Sequence, residues 1–261
     1  MKLPMTLQPV TIIARYTALE ALRTRYIWLV VALCLAGLGI SQFVGSLAIT
    51  ETQASQAAIT AALSRLAAVL LLILFVTTSV HRDFSDKSVE LMLSLPLPRA
   101  GLYVGKLAGY ALVAVFTALP LTLLMLLLAP FGASLAWGIS LLLELLLVCA
   151  MSLLFAFAFS QATAAVAVTL LFYLLGRSIA AMQLMAHAPM HDSGELSARF
   201  MTGVVDVMAY LLPDLDRFAP GHWLVYPDTL VGQLQPLLVQ TLIYLGLLAG
   251  VALFDLYRKN F

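Results

Sequence analysis

Long apolar runs separated by short polar stretches dominate the chain. Six of these runs reach the roughly 20 residues that an α-helix needs to cross a bilayer. They cover residues 26–49, 61–80, 102–128, 134–159, 162–186 and 236–256. The pattern predicts an all-α membrane protein, with residues 1–261 forming a single domain of six transmembrane helices. Pro120 inside the third run is expected to kink it, since membrane helices tolerate proline. Two further stretches have helical periodicity without the length or apolarity of a span. In residues 10–25, Ile12, Ile13, Tyr16, Leu19 and Leu22 recur opposite Arg15, Glu20 and Arg23. An amphipathic helix lying in the membrane interface is expected there. In the segment 187–235, Leu196, Phe200, Val204, Val207 and Leu211 share one face, against Glu195, Arg199, Thr202 and Asp206. That spacing predicts an interfacial or re-entrant helix stopped by Pro213, followed by an ordered, turn-rich loop with Trp223 and Tyr226 at the interface.

Composition narrows the class. With 62% hydrophobic and 10% charged residues, a soluble domain of this length could not hide its apolar surface, whereas lipid acts as a solvent for it. Cys34 and Cys149 both lie inside apolar runs and read as small buried residues, not as a disulfide framework or a zinc site. The first run is too long for the apolar part of a signal peptide and is expected to remain as a span. The basic residues set an orientation. With the N-terminus inside, Lys2, Arg15, Arg23, Arg25, Arg82, Lys87, Arg99, Lys106, Arg258 and Lys259 fall on the cytoplasmic side. Arg199 and Arg217 fall outside, and Arg65 lies near the outer end of the second span. The outer segments hold Glu51, Asp192, Glu195, Asp206, Asp214, Asp216 and Asp228 instead. This asymmetry predicts that both termini are cytoplasmic.

The candidate chemistry is concentrated in a few places. His81 to Tyr110 is the longest polar interruption among the first five runs and carries Arg82, Asp83, Asp86, Lys87, Glu90, Arg99 and Lys106. A charged segment between two spans is a place to meet something in the water. Within it, GLYVGKL has two glycines only three residues apart and Leu107 in place of a hydroxyl, so it does not read as a phosphate-binding loop. Gly101, Gly105 and Gly109 instead form a smooth stripe on which another helix can pack, and Gly246 and Gly250 repeat the spacing in the last run. Glu144 and Arg177 sit deep in the fourth and fifth runs at similar depth, where an ion pair between them is expected because an isolated charge is costly. Met182, Met185, His187, Met190 and His191 cluster near the end of the fifth run. Thioether and imidazole suit Cu(I), so Met185, His187, Met190 and His191 are weak metal candidates beside the plainer reading as interface residues. No catalytic motif is apparent, and nothing points to nucleic acid.

The order of elements resembles the permease subunits of ABC exporters of the type-2 export family, and is similar to permeases for maturation of multicopper enzymes such as nitrous-oxide reductase. Two segments carry the likeness. ARYTALEALRTRYIWLV (14–30) resembles the family's elbow helix running into the first span, although Tyr16 stands where a lysine is usual. RDFSDKSVELMLSLPLPRAGLYVGKLAG (82–109) resembles its acidic turn, short helix, proline and glycine-lysine approach to the third span. The resemblance implies that 81–101 is a cytoplasmic coupling segment whose helix, Phe84 to Leu95, docks on a separate ATPase. Val89, Met92 and Leu93 would insert, and Asp83, Asp86, Lys87 and Glu90 would meet charged groups. It further implies two ATPase subunits that bind ATP and magnesium, a second permease copy as homodimer, and the bacterial cytoplasmic (inner) membrane, with room for a periplasmic partner. This chain itself would be no enzyme and would bind no cofactor. A secondary transporter or channel, or a polytopic enzyme acting on lipid, are the alternatives.

Overall fold

In a computed structural model, residues 8–47, 52–86, 99–187, 196–219 and 230–258 are described. Among them the chain is entirely helical: α1 (Gln8–Arg23), α2 (Tyr26–Leu47), α3 (Thr52–Ser85), α4 (Arg99–Leu126), α5 (Phe131–Ala158), α6 (Ala162–His187), α7 (Leu196–Leu211), a 3₁₀ turn (Asp216–Phe218) and α8 (Leu230–Arg258). Six of these, α2 to α6 and α8, are long and apolar enough to cross a membrane. Successive spans run in alternating directions. One end of the bundle therefore carries α1, the end of α3 and the start of α4, and the opposite end carries α7 and the 3₁₀ turn.

The burial of each helix follows from its composition. α5 is apolar on every side and lies in the centre, packed against α3, α4, α6 and α8. Its polar residues Ser134, Ser140, Glu144 and Ser152 are buried with it. α2 and α8 are peripheral and present Trp28, Leu35, Phe43, Leu242, Ile243 and Phe254 outward, the apolar girdle that lipid requires. α4 continues through Pro120, and α8 through Pro236, each as a single helix.

One element boundary differs from the sequence expectation, and two amphipathic helices gain a packed side. The second span was expected over 61–80, yet α3 runs from Thr52 to Ser85, 34 residues or about 51 Å at the usual rise. The polar residues Thr52, Gln53, Ser55 and Gln56 are interspersed with alanines that favour helix, so the polar stretch extends the helix without breaking it. α1 buries Ile13, Ala14, Thr17, Ala18 and Ala21, while Ile12, Tyr16 and Leu22 of the expected apolar face are exposed. The helix has two non-polar arcs. Ile13 and four small residues meet protein, and Ile12, Tyr16 and Leu22 face outward. α7 behaves alike: Phe200, Val204, Val207 and Leu211 are exposed, and Val205 is buried on the side that packs on α6.

The glycine stripe has a partner. A Cβ on Gly105 would lie 2.9 Å from Ile13 Cβ, and one on Gly109 2.5 Å from Thr17 Cβ. α1 therefore lies directly on the start of α4, closer than any side chain there would allow. Gly246 and Gly250 have open space around them and bring nothing close within the chain.

Candidate functional site

Two polar clusters lie at opposite ends of the bundle, and α3 contributes to both. At the α1 end, Ser79, Arg82 and Asp83 occupy one face of α3, three and four residues apart, and Lys106 and Tyr110 are one turn apart on α4. Glu20 of α1 pairs with Arg82 and accepts from Ser79 Oγ at 2.9 Å. Asp83 pairs with Lys106, whose ammonium also lies 5.9 Å from the Tyr110 ring centre. Tyr110 Oη donates to Ser79 Oγ at 3.1 Å. Acid and base alternate across three helices, so each charge buried by the packing finds its opposite. Phe84 belongs to the last turn of α3, edge-on to Phe157 with ring centres 5.8 Å apart. It was expected to open a separate coupling helix, and instead anchors the end of α3 to α5. Of the other coupling residues, Asp86 is exposed just past α3, and Lys87, Val89, Glu90, Met92 and Leu93 lie outside the described residues.

The second cluster is centred on Arg65, the fourteenth residue of α3, whose side chain is 2% exposed. Trp137, Ser140 and Glu144 stand at i, i+3 and i+7 on the face of α5 turned toward it. Arg65 Nη1 donates to Glu144 Oε2 at 2.6 Å and to the Phe218 carbonyl at 2.9 Å. Its Nη2 donates to Ser140 Oγ at 2.9 Å and to the Trp137 carbonyl at 3.2 Å. Its guanidinium carbon also lies 5.0 Å from the Trp137 ring centre. Four hydrogen bonds, one of them to a carboxylate, offset the cost of placing a cation in the core. The other Glu144 oxygen accepts from Tyr173 Oη at 2.9 Å and, more distantly, from Arg177 Nη1 at 3.4 Å. Tyr173 and Arg177 are one turn apart on α6. Glu144 and Arg177 thus do approach each other, but the short bond goes to Arg65, which sequence reasoning left near a span end.

The loop after α7 completes this cluster. α7 ends two residues before Pro213, which cannot continue a helix comfortably. Leu215 N–H then donates to the Gly176 carbonyl at 3.1 Å, and a Cβ at Gly176 would lie 2.9 Å from the Pro213 carbonyl. Absence of a side chain at Gly176 lets the loop reach α6, which brings the Phe218 carbonyl to Arg65 and to Ser140 Oγ, 2.6 Å away. Outward of the cluster is a cavity of 730 Å³ whose lining includes Ala180, Gln183, Leu184, His187, Asp216 and Arg217.

Among the described residues no group of three or more His, Cys, Asp or Glu could hold a metal. Met185 is exposed and His187 Nε2 lies 3.6 Å from an Asp206 carboxylate oxygen, while Met190 and His191 lie outside the described residues.

No family model matches the chain, and no curated protein matches it. Fold and sites together define a class, a helical membrane protein with six helices able to span, organised around one central helix and two polar clusters.

Proposed function

We propose that this chain is the permease subunit of an ATP-driven ABC exporter, working as a homodimer with two copies of a separate ATPase in the bacterial cytoplasmic membrane, both termini inside. The observation that carries the proposal is the cluster at the α1 end. Glu20, Arg82, Asp83 and Lys106 bind α1, α3 and α4 together beside the end of α3 and the start of α4, the two helices that the proposed coupling segment connects. A load applied to that segment would reach all three helices at once. α3 would carry it along its length to Arg65, which touches α5 and the loop after α7. That is how rigid-body transmission works: closure of two ATPase subunits moves the docked segments, and the spans change access. α1, with Ile12, Tyr16 and Leu22 outward and Arg15 and Arg23 exposed, would be the interfacial elbow.

A second reading has an observation in its favour. Arg65, Glu144 and Arg177 make three intramembrane charges in one network, the kind of cluster on which secondary transporters build ion coupling.

Co-purification separates the two. The detergent-solubilised protein is expected to retain one of a set of co-expressed candidate ABC ATPase subunits, and Glu90→Arg combined with Met92→Asp is expected to lose it while folding normally. Failure of wild type to retain any ATPase, or equal retention by the variant, would leave the stand-alone transporter as the better reading.

A further inference from the structure

We infer that Arg177 anchors a binding site for a singly charged oxyanion, a carboxylate or phosphate group, that enters through the cavity between α6 and the loop after α7. As the recognition point for exported cargo the site rests on the permease reading. As a binding site it stands alone.

Charge balance motivates the inference. The buried cluster holds two guanidinium groups and one carboxylate. Arg65 takes the short bond to Glu144 and three further acceptors through its two terminal nitrogens, leaving only its buried Nε without a partner. Glu144 fills its second oxygen with Tyr173 at 2.9 Å. Arg177 is left with a long 3.4 Å contact, and its side chain is 30% exposed where Arg65 is 2%. A cation at membrane depth is expensive unless an anion or a water-filled route serves it. Arg177 does not itself line the cavity, and the inferred route reaches it from there along α6. Ala180 and Leu184 line the cavity and lie one and two turns beyond Arg177 on the same face of α6.

The lining also sets the ligand. Arg217 is held by Asp214 at 2.7 Å, which neutralises it, and exposed Asp216 at the mouth repels a multiply charged ligand. Gln183 and His187 add polar groups to the lining. A volume of 730 Å³ accommodates an amphiphile's head group. Exposed Leu174, Leu184 and Met185 on α6, and Phe200 and Val204 on α7, would lie against an apolar tail.

The test titrates the full-length, detergent-solubilised protein and reads its thermal midpoint. Three probes are used: dioleoylphosphatidylglycerol, which carries one negative charge; dioleoylphosphatidylcholine, which carries none net; and inorganic phosphate, all at a mildly acidic pH where the phosphate monoanion predominates. The glycerol lipid is expected to stabilise wild type at lower concentrations than the choline lipid. Arg177→Gln should weaken that response about tenfold or more, the value of one charge-assisted contact, and Arg177→Lys should keep most of it. Ala180→Trp fills the route without touching the ion cluster and should abolish the response, which decides the matter if Arg177→Gln does not fold. Phosphate acting as well as the lipid would identify a free anion as the ligand. The inference is overturned if neither anion stabilises wild type beyond the choline lipid, or if Ala180→Trp responds like wild type. No ATPase enters the assay, so this outcome is independent of the co-purification.

Discussion

Replacing Glu144 by Gln keeps the side chain's shape but leaves Arg65 buried beside an amide. Four neutral acceptors cannot supply the missing negative charge, and an uncompensated buried charge costs about 3–5 kcal/mol. Arg177→Gln removes a cation whose contact with the carboxylate is 3.4 Å long and which is partly exposed. Its cost is expected to be about 1 kcal/mol or less, as for other exposed pairs. Detergent-solubilised variants followed by thermal unfolding should therefore rank Glu144→Gln well below Arg177→Gln; the reverse order would mean that Arg177, not Arg65, is the main partner. Glu144 and Arg177 were legible in the sequence because a charge amid leucines is conspicuous. Arg65 was equally visible as a letter, but the polar residues preceding it made it look like the edge of a span. Its depth depends on α3 continuing back to Thr52, which alanine-rich helix propensity favours but apolar run length does not register.

At the scale of elements, the contrast between two glycine pairs is informative. Gly109→Val is expected to push α1 off α4, since its first carbon alone would lie 2.5 Å from Thr17 Cβ, backed by the helix itself. Overpacking of this kind costs about 1–3 kcal/mol, and limited proteolysis should then release α1 first. Gly250→Val meets open space and should leave the same digestion pattern unchanged. If both variants behave alike, the contact between α1 and α4 does not exist as described. Spacing alone could not tell these pairs apart, because both repeat every four residues. What separates them is the presence of a facing helix. In α1 and α7, periodicity found the helices and their large apolar residues, and packing added the side on which each meets a neighbouring helix. Each packs one side on a neighbouring helix and leaves bulky apolar residues exposed on the other.

For the whole molecule, the proposed topology can be read with two cysteines. Native Cys149 is fully buried, so changing Cys34 to Ser leaves a background that should be silent to water-soluble thiol reagents. On that background Arg217→Cys, at an exposed position of the 3₁₀ turn, is expected to react with a membrane-impermeant maleimide in intact cells. Arg15→Cys on the exposed polar side of α1 is expected to react only after the membrane is opened. Opposite labelling would invert the orientation and move the segment 87–98 away from any cytoplasmic ATPase.

The sequence by itself determined the number of spans, the existence of both amphipathic helices and where the charges collect, because apolar length and helical periodicity are properties of contiguous residues. Tertiary structure decided which charges meet. Arg65 finds Glu144 across 79 positions and the Phe218 carbonyl across 153. The second contact needs Pro213 to end α7 and Gly176 to admit the loop. Pairing at such separations depends on how helices cross, and no local pattern records that.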